Sequence, residues 1–415
     1  MTTLSITPAD GLLDEPRRIS VEGLRPSQKI ELATRTVRGN GQYWVSAATY
    51  IADAFGKVDL ERDAPVSGSY QGVSASGLLW SQRPEVPGAA DVFPDDVLQP
   101  LVTRVFLDGG EQSVSLIQRL VSEGVTRREV REDGLVGTLF TPPGDGPHPA
   151  VIVLNGSGGG INEPRAALYA SRGYAALALG YFKAPGLSPY ISNTPLEYFV
   201  AGLAWVRREV QPAHDFVALS GQSRGGELVL LLGSMFPEAV SAVIGYVPSA
   251  LVHGGQAAAD LAVGRDGPAW LYKGKPLIHL WNDNKTASWA AKDAGLRNTE
   301  SISTALQDHD AVHRVAIKVE KIRGPVLLLS AGDDAAWPSA LFSRMAYSRL
   351  KEAGHSWPVQ HLDFEHAGHT ILLPNIPSTY SIDGTPAANA EANEQSWQAV
   401  KAFLEDAVKA RAAQA

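Results

Sequence analysis

The stretch that decides the fold is residues 217–236, VALSGQSRGGELVLLLGSMF. Its first residues, 217–219, form a short apolar run typical of a strand buried on both faces. A glycine-rich turn follows at 221–226, and then an apolar run of helical length. The turn contains the pattern Gly-x-Ser-x-Gly, which in this context exposes the serine oxygen next to a helix N-terminus, where partial positive charge favours an oxyanion. The pattern predicts a nucleophilic Ser223; the alternative is a purely structural turn.

Strand-like apolar runs recur outward from this stretch and alternate with segments of helical length. They lie at residues 150–154, 175–179, 242–246 and 326–329. Continuous apolar runs of this kind fit a parallel sheet that is covered by helices on both faces. We therefore expect an α/β domain over residues 126–415.

The first 125 residues show a different pattern. Runs of aromatic and β-branched residues, such as 42–51, are separated by turn clusters such as 38–41. Strands at this spacing, with little helical periodicity between them, indicate a β-sandwich. The length of 415 residues agrees with two domains, because a single hydrophobic core rarely grows so large. We expect the domain boundary near residue 125.

Composition excludes several classes of protein. The formal net charge of −8 disfavours general binding to nucleic acid, whose phosphates an acidic surface repels. The absence of cysteine excludes disulfides, thiolate metal sites and a cysteine nucleophile. The most apolar stretch, 228–246, is interrupted by Pro237 and Glu238, so no membrane span is expected. The first residues lack the pattern of a secretory signal, and a soluble cytoplasmic protein is the expectation.

A nucleophilic serine needs an acid and a base, which in this type of fold follow it along the chain in the order Asp or Glu, then His. The apolar run 326–329 leads to Asp333 and Asp334, of which Asp334 is the preferred acid and Asp333 the alternative, with a turn-capping role. His369 follows the strand-like segment 360–364 and a glycine turn, and is the preferred base. The remaining candidates, interpreted as surface or packing residues, are His355, His361 and His366.

The same chemistry needs backbone N–H groups that stabilise an oxyanion. One donor is expected to be the N–H of Arg224, the residue after the serine. The second is expected from the glycine-rich segment 155–160, NGSGGG, with Ser157 or Gly158 as the donor. A phosphate-binding loop is the alternative for this segment, but neither nucleotide-binding glycine pattern is matched, because residue 161 is Ile and no Gly-Lys-Ser/Thr follows.

Two other patterns carry no chemistry in our interpretation. Residues 315–318 spell the kinase motif VAIK, but its partner motifs are missing. His309 and His313 have the spacing of a zinc-protease helix, but Asp310 stands where the general-base Glu belongs. Neither a metal nor a cofactor is expected. The weakly patterned segment 249–322 is interpreted either as a wall of the substrate pocket or as an ordinary surface excursion.

Together these residues resemble the acyl-CoA thioesterase / bile acid-CoA:amino acid N-acyltransferase family over nearly the whole chain. The stretches that carry the resemblance are 14–19, 56–60, 77–80, 137–144, 156–160, 223–227, 333–337 and 367–369. The resemblance implies an immunoglobulin-like β-sandwich followed by an α/β-hydrolase domain similar to dienelactone hydrolase. It also implies a catalytic triad of Ser223, Asp334 and His369.

The resemblance further implies acyl-CoA thioesters as substrates. By this resemblance, transferases of the bile-acid type carry cysteine at the nucleophile position. This chain has Ser223 there and no cysteine anywhere, so hydrolysis through an acyl-enzyme is favoured over acyl transfer. Three alternatives stay open: acyl transfer to an amino acid, hydrolysis of esters, lactones or peptides without CoA, and a non-catalytic binding protein. The resemblance implies lysine at position 224 in many relatives, where this chain has Arg224. Either Arg224 or Lys183 is expected to help hold the CoA phosphates. The oligomeric state is left open.

Overall fold

The computed structural model describes residues 1–110 and 112–414, apart from the side chain of Asn40. The chain divides into two compact units, Met1–Ser122 with Leu372–Trp397, and Glu123–Ile371 with Gln398–Ala415. The sequence boundary near residue 125 stays a prediction, and the sequence did not indicate that Leu372–Trp397 would join the first unit. Among the described residues, no helix is both long and apolar enough to cross a membrane.

The first unit is the expected immunoglobulin-like β-sandwich. Its strands are β1 (Thr3–Thr7), β2 (Asp10–Leu12), β3 (Arg18–Glu22), β4 (Lys29–Arg38), β5 (Gln42–Ile51), β6 (Val58–Asp59), β7 (Ser67–Gly68), β8 (Arg83–Pro84), β9 (Leu101–Leu107) and β10 (Gln112–Arg119), with one helical turn, α1 (Gly77–Trp80). One sheet has the order β1-β3-β6. The other has the order β2-β10-β9-β4-β5-β7, with β8 pairing to β5.

Strand β4 shows why this part of the sequence folds as a sandwich. Every second residue along it is buried, among them Ile30 and Leu32, while the residues between them are more exposed. Such alternation places one face of a sheet against a core and the other towards water. The buried faces share a core that includes Val21, Tyr50 and Val105. Strand β5 covers the run 42–51 predicted from the sequence.

The second unit is the α/β-hydrolase domain. Its strands are β11 (Thr126–Val130), β12 (Val136–Thr141), β13 (Ala150–Leu154), β14 (Ala175–Gly180), β15 (Thr194–Pro195), β16 (Val217–Gln222), β17 (Ala242–Tyr246), β18 (Trp270–Tyr272), β19 (Lys275–Pro276), β20 (Val326–Ala331) and β21 (Val359–Phe364). Its helices are α2 (Glu163–Ser171), α3 (Glu197–Glu209), α4 (Arg224–Met235), α5 (Ala290–Asp293), α6 (Asn298–Ala305), α7 (His309–Val315), α8 (Ser339–Glu352) and the last part of α9 (Pro386–Ala412), whose beginning belongs to the first unit.

The central sheet has the order β11-β12-β14-β13-β16-β17-β20-β21. The five apolar runs identified in the sequence are β13, β14, β16, β17 and β20, and each strand begins at the predicted residue. These strands and β21 run parallel. The two strands at one edge of the sheet, β11 and β12, lie outside the predicted apolar runs and are antiparallel to their neighbours. Apolar periodicity reports burial and carries no information on strand direction.

Parallel strands joined by helices end at the same edge of the sheet. The loops after β13, β16, β20 and β21 therefore open at one edge. They hold the candidate residues Ser157, Gly158, Ser223, Asp334 and His369, and Arg224 begins the helix that follows β16. The segment 249–322 follows β17 and contains β18, β19 and helices α5 to α7. Strands β15, β18 and β19 form a separate small sheet.

Candidate active site

Ser223 lies in the turn between β16 and α4. Its backbone angles, φ 57° and ψ −116°, belong to a region that residues with a side chain rarely adopt. The strain is held in place from the neighbouring strand, because the N–H of Ser223 donates to the carbonyl oxygen of Tyr246, 2.8 Å away. Strain of this kind is found at functional sites, and here it turns the serine out of the sheet.

The glycines on either side of the serine are required by close backbone approaches. A Cβ on Gly221 would lie 2.1 Å from the carbonyl oxygen of Gly225. A Cβ on Gly225 would lie 2.4 Å from the carbonyl oxygen of Leu154 and 2.6 Å from that of Asn155. Both contacts are with backbone, which has little freedom to move. The backbones of the strand, the turn and the following helix can therefore approach this closely only if residues 221 and 225 have no side chain.

We expect Gly225→Ala to lower the free energy of unfolding by about 1–3 kcal/mol or more, because the added methyl group meets backbone oxygens. Urea denaturation followed by circular dichroism measures this. Gly202→Ala is the matched control: its Cβ would meet only the end of the Leu179 side chain, at 2.9 Å, and alanine favours helix α3. Equal losses in the two variants would contradict the backbone explanation.

The side chains of Ser223, His369 and Asp334 form one hydrogen-bonded chain. The Nε2 atom of His369 lies 2.7 Å from the Oγ atom of Ser223. On the other side of the ring, Nδ1 lies 2.8 Å from Oδ2 and 2.9 Å from Oδ1 of Asp334. Oδ1 also accepts the N–H groups of Ala336 and Trp337, at 2.9 and 3.1 Å. A carboxylate held in this way favours the tautomer in which Nδ1 carries the proton and Nε2 is free to accept one from the serine.

The two neighbouring aspartates have different surroundings. Asp334 has a side chain that is 1% exposed and points to the imidazole. Asp333 has a side chain that is 47% exposed, and it pairs with Arg297 at 2.7 Å. The structure thus brings Asp334 to the serine–histidine pair and directs Asp333 to another partner.

The other three candidate histidines lie in different surroundings. His366 is exposed. The Nε2 atom of His361 lies 2.8 Å from the Oγ atom of Ser330, and that of His355 lies 2.9 Å from the carbonyl oxygen of Gly324. None of these bonds involves the candidate nucleophile.

The glycine-rich loop after β13 lies against the candidate nucleophile. A Cβ placed on Gly156 would lie 3.7 Å from the Oγ atom of Ser223. Two N–H groups of the loop are used locally: that of Gly159 donates to Gly156 and that of Gly160 to Phe182. The two candidate oxyanion donors of this loop are the N–H groups of Ser157 and Gly158. Neither N–H has an acceptor within the described part of the chain. The N–H of Arg224 belongs to the first turn of α4, whose N–H groups have no intrahelical acceptor.

A buried polar network behind the serine was not found from the sequence. The guanidinium of Arg224 pairs with Glu227 at 2.6 Å and donates to the carbonyl oxygen of Gly254 at 2.9 Å. The other carboxylate oxygen of Glu227 accepts from the Trp270 indole at 2.9 Å and from the N–H of His253 at 3.1 Å. Burial raises the pKa of Glu227, while the neighbouring guanidinium opposes this. These bonds couple α4 to the segment after β17.

One signal for this network was present in the sequence. Arg224 and Glu227 are charged residues, three positions apart, at the start of an apolar helix, where charges are expected to be paired. The expectation that the Arg224 side chain holds CoA phosphates is wrong, because that side chain is 1% exposed and paired internally. Lys183 is exposed, and its proposed contact with CoA stays a prediction.

We expect the free energy of unfolding to fall as the pH decreases below about 6.5, the usual pKa of histidine. Burial, helped by the charge of Arg224, lowers the pKa of His253 well below this value, so that below pH 6.5 the unfolded chain binds a proton that the folded chain excludes. Three other histidines have lowered pKa values and act in the same direction: His279, His355 and His361.

Urea denaturation at pH 7.5 and 5.5 measures this effect. His253→Gln should lose less stability between the two pH values than the wild type, by up to about 1.4 kcal/mol for the one unit below pH 6.5. Other titrating groups contribute equally to the pH dependence of the two proteins, so the difference between the proteins reports on His253. The same pH dependence in both proteins would contradict the assignment to His253.

Among the described residues, no group of three or more His, Asp or Glu side chains is arranged to hold a metal ion. A strained serine turn between a strand and a helix, with an acid and a histidine after later strands of the same sheet, defines the α/β-hydrolase class of enzymes.

The chain belongs to the acyl-CoA thioester hydrolase/BAAT family. Residues 14–132 match the acyl-CoA thioester hydrolase/BAAT N-terminal region, and residues 194–410 match the BAAT / acyl-CoA thioester hydrolase C terminal. The resemblance inferred from the sequence is confirmed.

Similar proteins match over almost the entire chain. Mouse acyl-coenzyme A thioesterase 6 is 31% identical over 97% of this chain and 96% of that protein. Human acyl-coenzyme A thioesterase 1 is 31% identical, with the same shares covered. Human mitochondrial acyl-coenzyme A thioesterase 2 is 30% identical over 97% of this chain and 83% of that protein.

Proposed function

We propose that this protein hydrolyses acyl-CoA thioesters to the free acid and CoA, with Ser223 as nucleophile. The observation that carries the proposal is the hydrogen-bonded chain from the serine through His369 to Asp334, with its distances of 2.7 and 2.8 Å. Family membership and the names of the relatives support acyl-CoA as the substrate.

In the proposed mechanism, the Oγ atom of Ser223 attacks the thioester carbonyl carbon while Nε2 of His369 takes the hydroxyl proton. Asp334 stabilises the imidazolium that forms. The tetrahedral intermediate then expels the CoA sulfur, which receives the proton from His369, and an acyl-enzyme ester is left on the serine. Water attacks this ester with His369 as base, which releases the acid and restores the serine hydroxyl.

The oxyanion of each tetrahedral intermediate is proposed to accept hydrogen bonds from the N–H of Arg224 and from that of Ser157 or Gly158. The position of Gly156 beside the serine oxygen supports this, as do the unused N–H groups that follow it in the loop. Such donors typically contribute on the order of 10²–10³ each to the rate, because they are aligned before charge develops.

The use of serine also supports hydrolysis over acyl transfer. A thiolate nucleophile would give a thioester acyl-enzyme, which amines attack readily, whereas an oxygen ester on Ser223 is less activated towards them. The chain has no cysteine that could take this role. Acyl transfer to an amine and hydrolysis of esters without CoA are the two alternative activities, and the experiment below distinguishes both from thioester hydrolysis.

The test is thiol release from a series of saturated acyl-CoA esters of increasing chain length, followed with a thiol-reactive dye. We expect turnover, with a chain-length optimum. Parallel reactions with glycine or taurine would reveal amide product if the enzyme were a transferase. Cleavage of p-nitrophenyl esters without release of thiol from any CoA ester would contradict the proposed substrate.

We also propose that the protein acts in the cytoplasm. The absence of cysteine fits a reducing compartment. Some relatives are named as mitochondrial, among them human acyl-coenzyme A thioesterase 2, so the compartment should be measured directly, by fractionation of the source cells. Recovery of the protein with an organelle or the membrane fraction would contradict this proposal.

A further inference from the structure

Arg165 is a buried cation close to the candidate site. It is the third residue of α2, the helix that follows the glycine-rich loop, and it is 2% exposed. Its N–H is capped by the side chain of Asn162. Among the described residues, the hydrogen bonds of its guanidinium go to Gln222 and Ile371, and neither partner is an Asp or Glu. A buried charge without a counter-ion is costly, so the contacts that it makes instead call for an explanation.

The guanidinium makes three contacts within the same unit. Its Nη2 atom donates to the side-chain oxygen of Gln222 at 3.1 Å and to the carbonyl oxygen of Ile371 at 3.0 Å. The Cζ atom lies 3.9 Å from the ring centroid of Tyr246, a cation–π contact that partly replaces the lost hydration.

Each of these partners adjoins a residue of the proposed triad. Gln222 directly precedes Ser223 in the strained turn. Tyr246 provides the carbonyl that accepts the N–H of Ser223. Ile371 lies two residues after His369, and its N–H donates to the carbonyl oxygen of that histidine at 3.2 Å.

A single planar group thus connects the end of β16, the end of β17 and the loop after β21. These are the backbone segments that set the distance between the serine oxygen and the imidazole. Arginine suits this task because its donors and its flat face are fixed in one plane, so it can donate at its edge while stacking on a ring.

We propose that Arg165 is a positioning residue that holds Ser223 and His369 at reacting distance. The inference rests on the proposed serine mechanism and adds to it a residue that touches no substrate. Loss of the guanidinium frees the histidine loop from the serine turn. A displacement of about 1 Å between reacting groups lowers rates on the order of 10²-fold, whereas substrate binding away from these groups is unaffected.

The experiment compares Arg165→Lys and Gln222→Met in the full-length protein. Lysine cannot both stack on the ring and donate in the same plane, and Gln222→Met removes one acceptor while leaving Arg165 in place. We expect kcat for acyl-CoA hydrolysis to fall on the order of 10²-fold in the first variant and about 10-fold in the second, with KM within about threefold of the wild type. Gln222→Glu keeps an acceptor and should retain more activity than Gln222→Met.

Fluorophosphonate labelling of the serine separates positioning from folding. Positioning predicts a lower labelling rate constant with a normal labelled fraction at the end point. A normal rate constant with a reduced labelled fraction would mean that the residue only stabilises the fold, and would overturn the inference, as would unchanged kcat in either variant. Arg344→Lys is the matched control, since that exposed arginine forms an ion pair with Asp363 away from the candidate site.

The labelling assay also separates this inference from the proposed function. If the wild type labels rapidly but hydrolyses no acyl-CoA, the proposed substrate is wrong, and the labelling rates of the variants still decide the role of Arg165. If the wild type does not label at all, the serine mechanism fails and the inference fails with it.

Discussion

Ser223→Ala should reduce thiol release from acyl-CoA by about 10⁴–10⁶-fold, the loss seen when the nucleophile of a triad is removed. The methyl group keeps the volume and the strained backbone but leaves no oxygen to attack the thioester. Among the described residues, the hydroxyl makes its hydrogen bond only with His369, so the fold should be unaffected. Labelling by a fluorophosphonate should disappear in the same variant.

The measurement is steady-state thiol release at saturating acyl-CoA, with a circular dichroism spectrum to confirm folding. Ser356→Ala, at an exposed serine, is the matched control and should keep the wild-type rate. Turnover within tenfold of the wild type in a folded Ser223→Ala protein would contradict the serine mechanism and every role assigned around it.

Asp334→Asn should lower kcat by about 10⁴-fold, and the hydrogen bonds explain why. Oδ1 of Asp334 accepts two backbone N–H groups, from Ala336 and Trp337. In the asparagine variant the amide oxygen keeps these bonds, which directs the NH₂ group towards Nδ1 of His369. Nδ1 must then accept, so the proton moves to Nε2, which can no longer take the proton of Ser223.

The neighbouring aspartate provides the matched control. Asp333→Asn removes an exposed pair with Arg297, worth about 1 kcal/mol of stability at most, and should change kcat less than threefold. Both variants are assayed for thiol release under the same conditions. Equal losses, or a greater loss at Asp333, would contradict the assignment of Asp334 as the acid that orients the histidine.

The buried network around Arg224 and Glu227 suggests how the segment after β17 is linked to the reaction. Helix α4 begins at Arg224, whose N–H is a proposed oxyanion donor and whose guanidinium is bonded to Gly254 in that segment. Removing one partner of a buried ion pair lowers the free energy of unfolding by about 3–5 kcal/mol, because the other charge stays buried without a partner. The two charges therefore tie the position of the segment to that of the serine turn.

Local sequence patterns were sufficient to predict much of the central sheet and the serine turn. The five apolar runs that became β13, β14, β16, β17 and β20 could be read from the sequence, because strands buried on both faces have no polar positions. The serine turn could be read as well, because its two glycines are required by backbone contacts that no other residue permits. The antiparallel edge of the sheet could not, since alternation and burial do not encode direction.

By itself, the sequence determined the family, the two-domain architecture and the candidate serine, because these depend on local patterns of residue types. It gave a preference for Asp334 over Asp333 and for His369 over three other histidines. Only the tertiary structure decided what the charged residues near the site do. The Arg224 side chain turns inward to Glu227, and Arg165 bridges Gln222 and Ile371, which lies 206 residues further along the chain than that arginine. Contacts over such separations depend on how strands and loops pack in space, and no local pattern records which partner a long, flexible cation will meet.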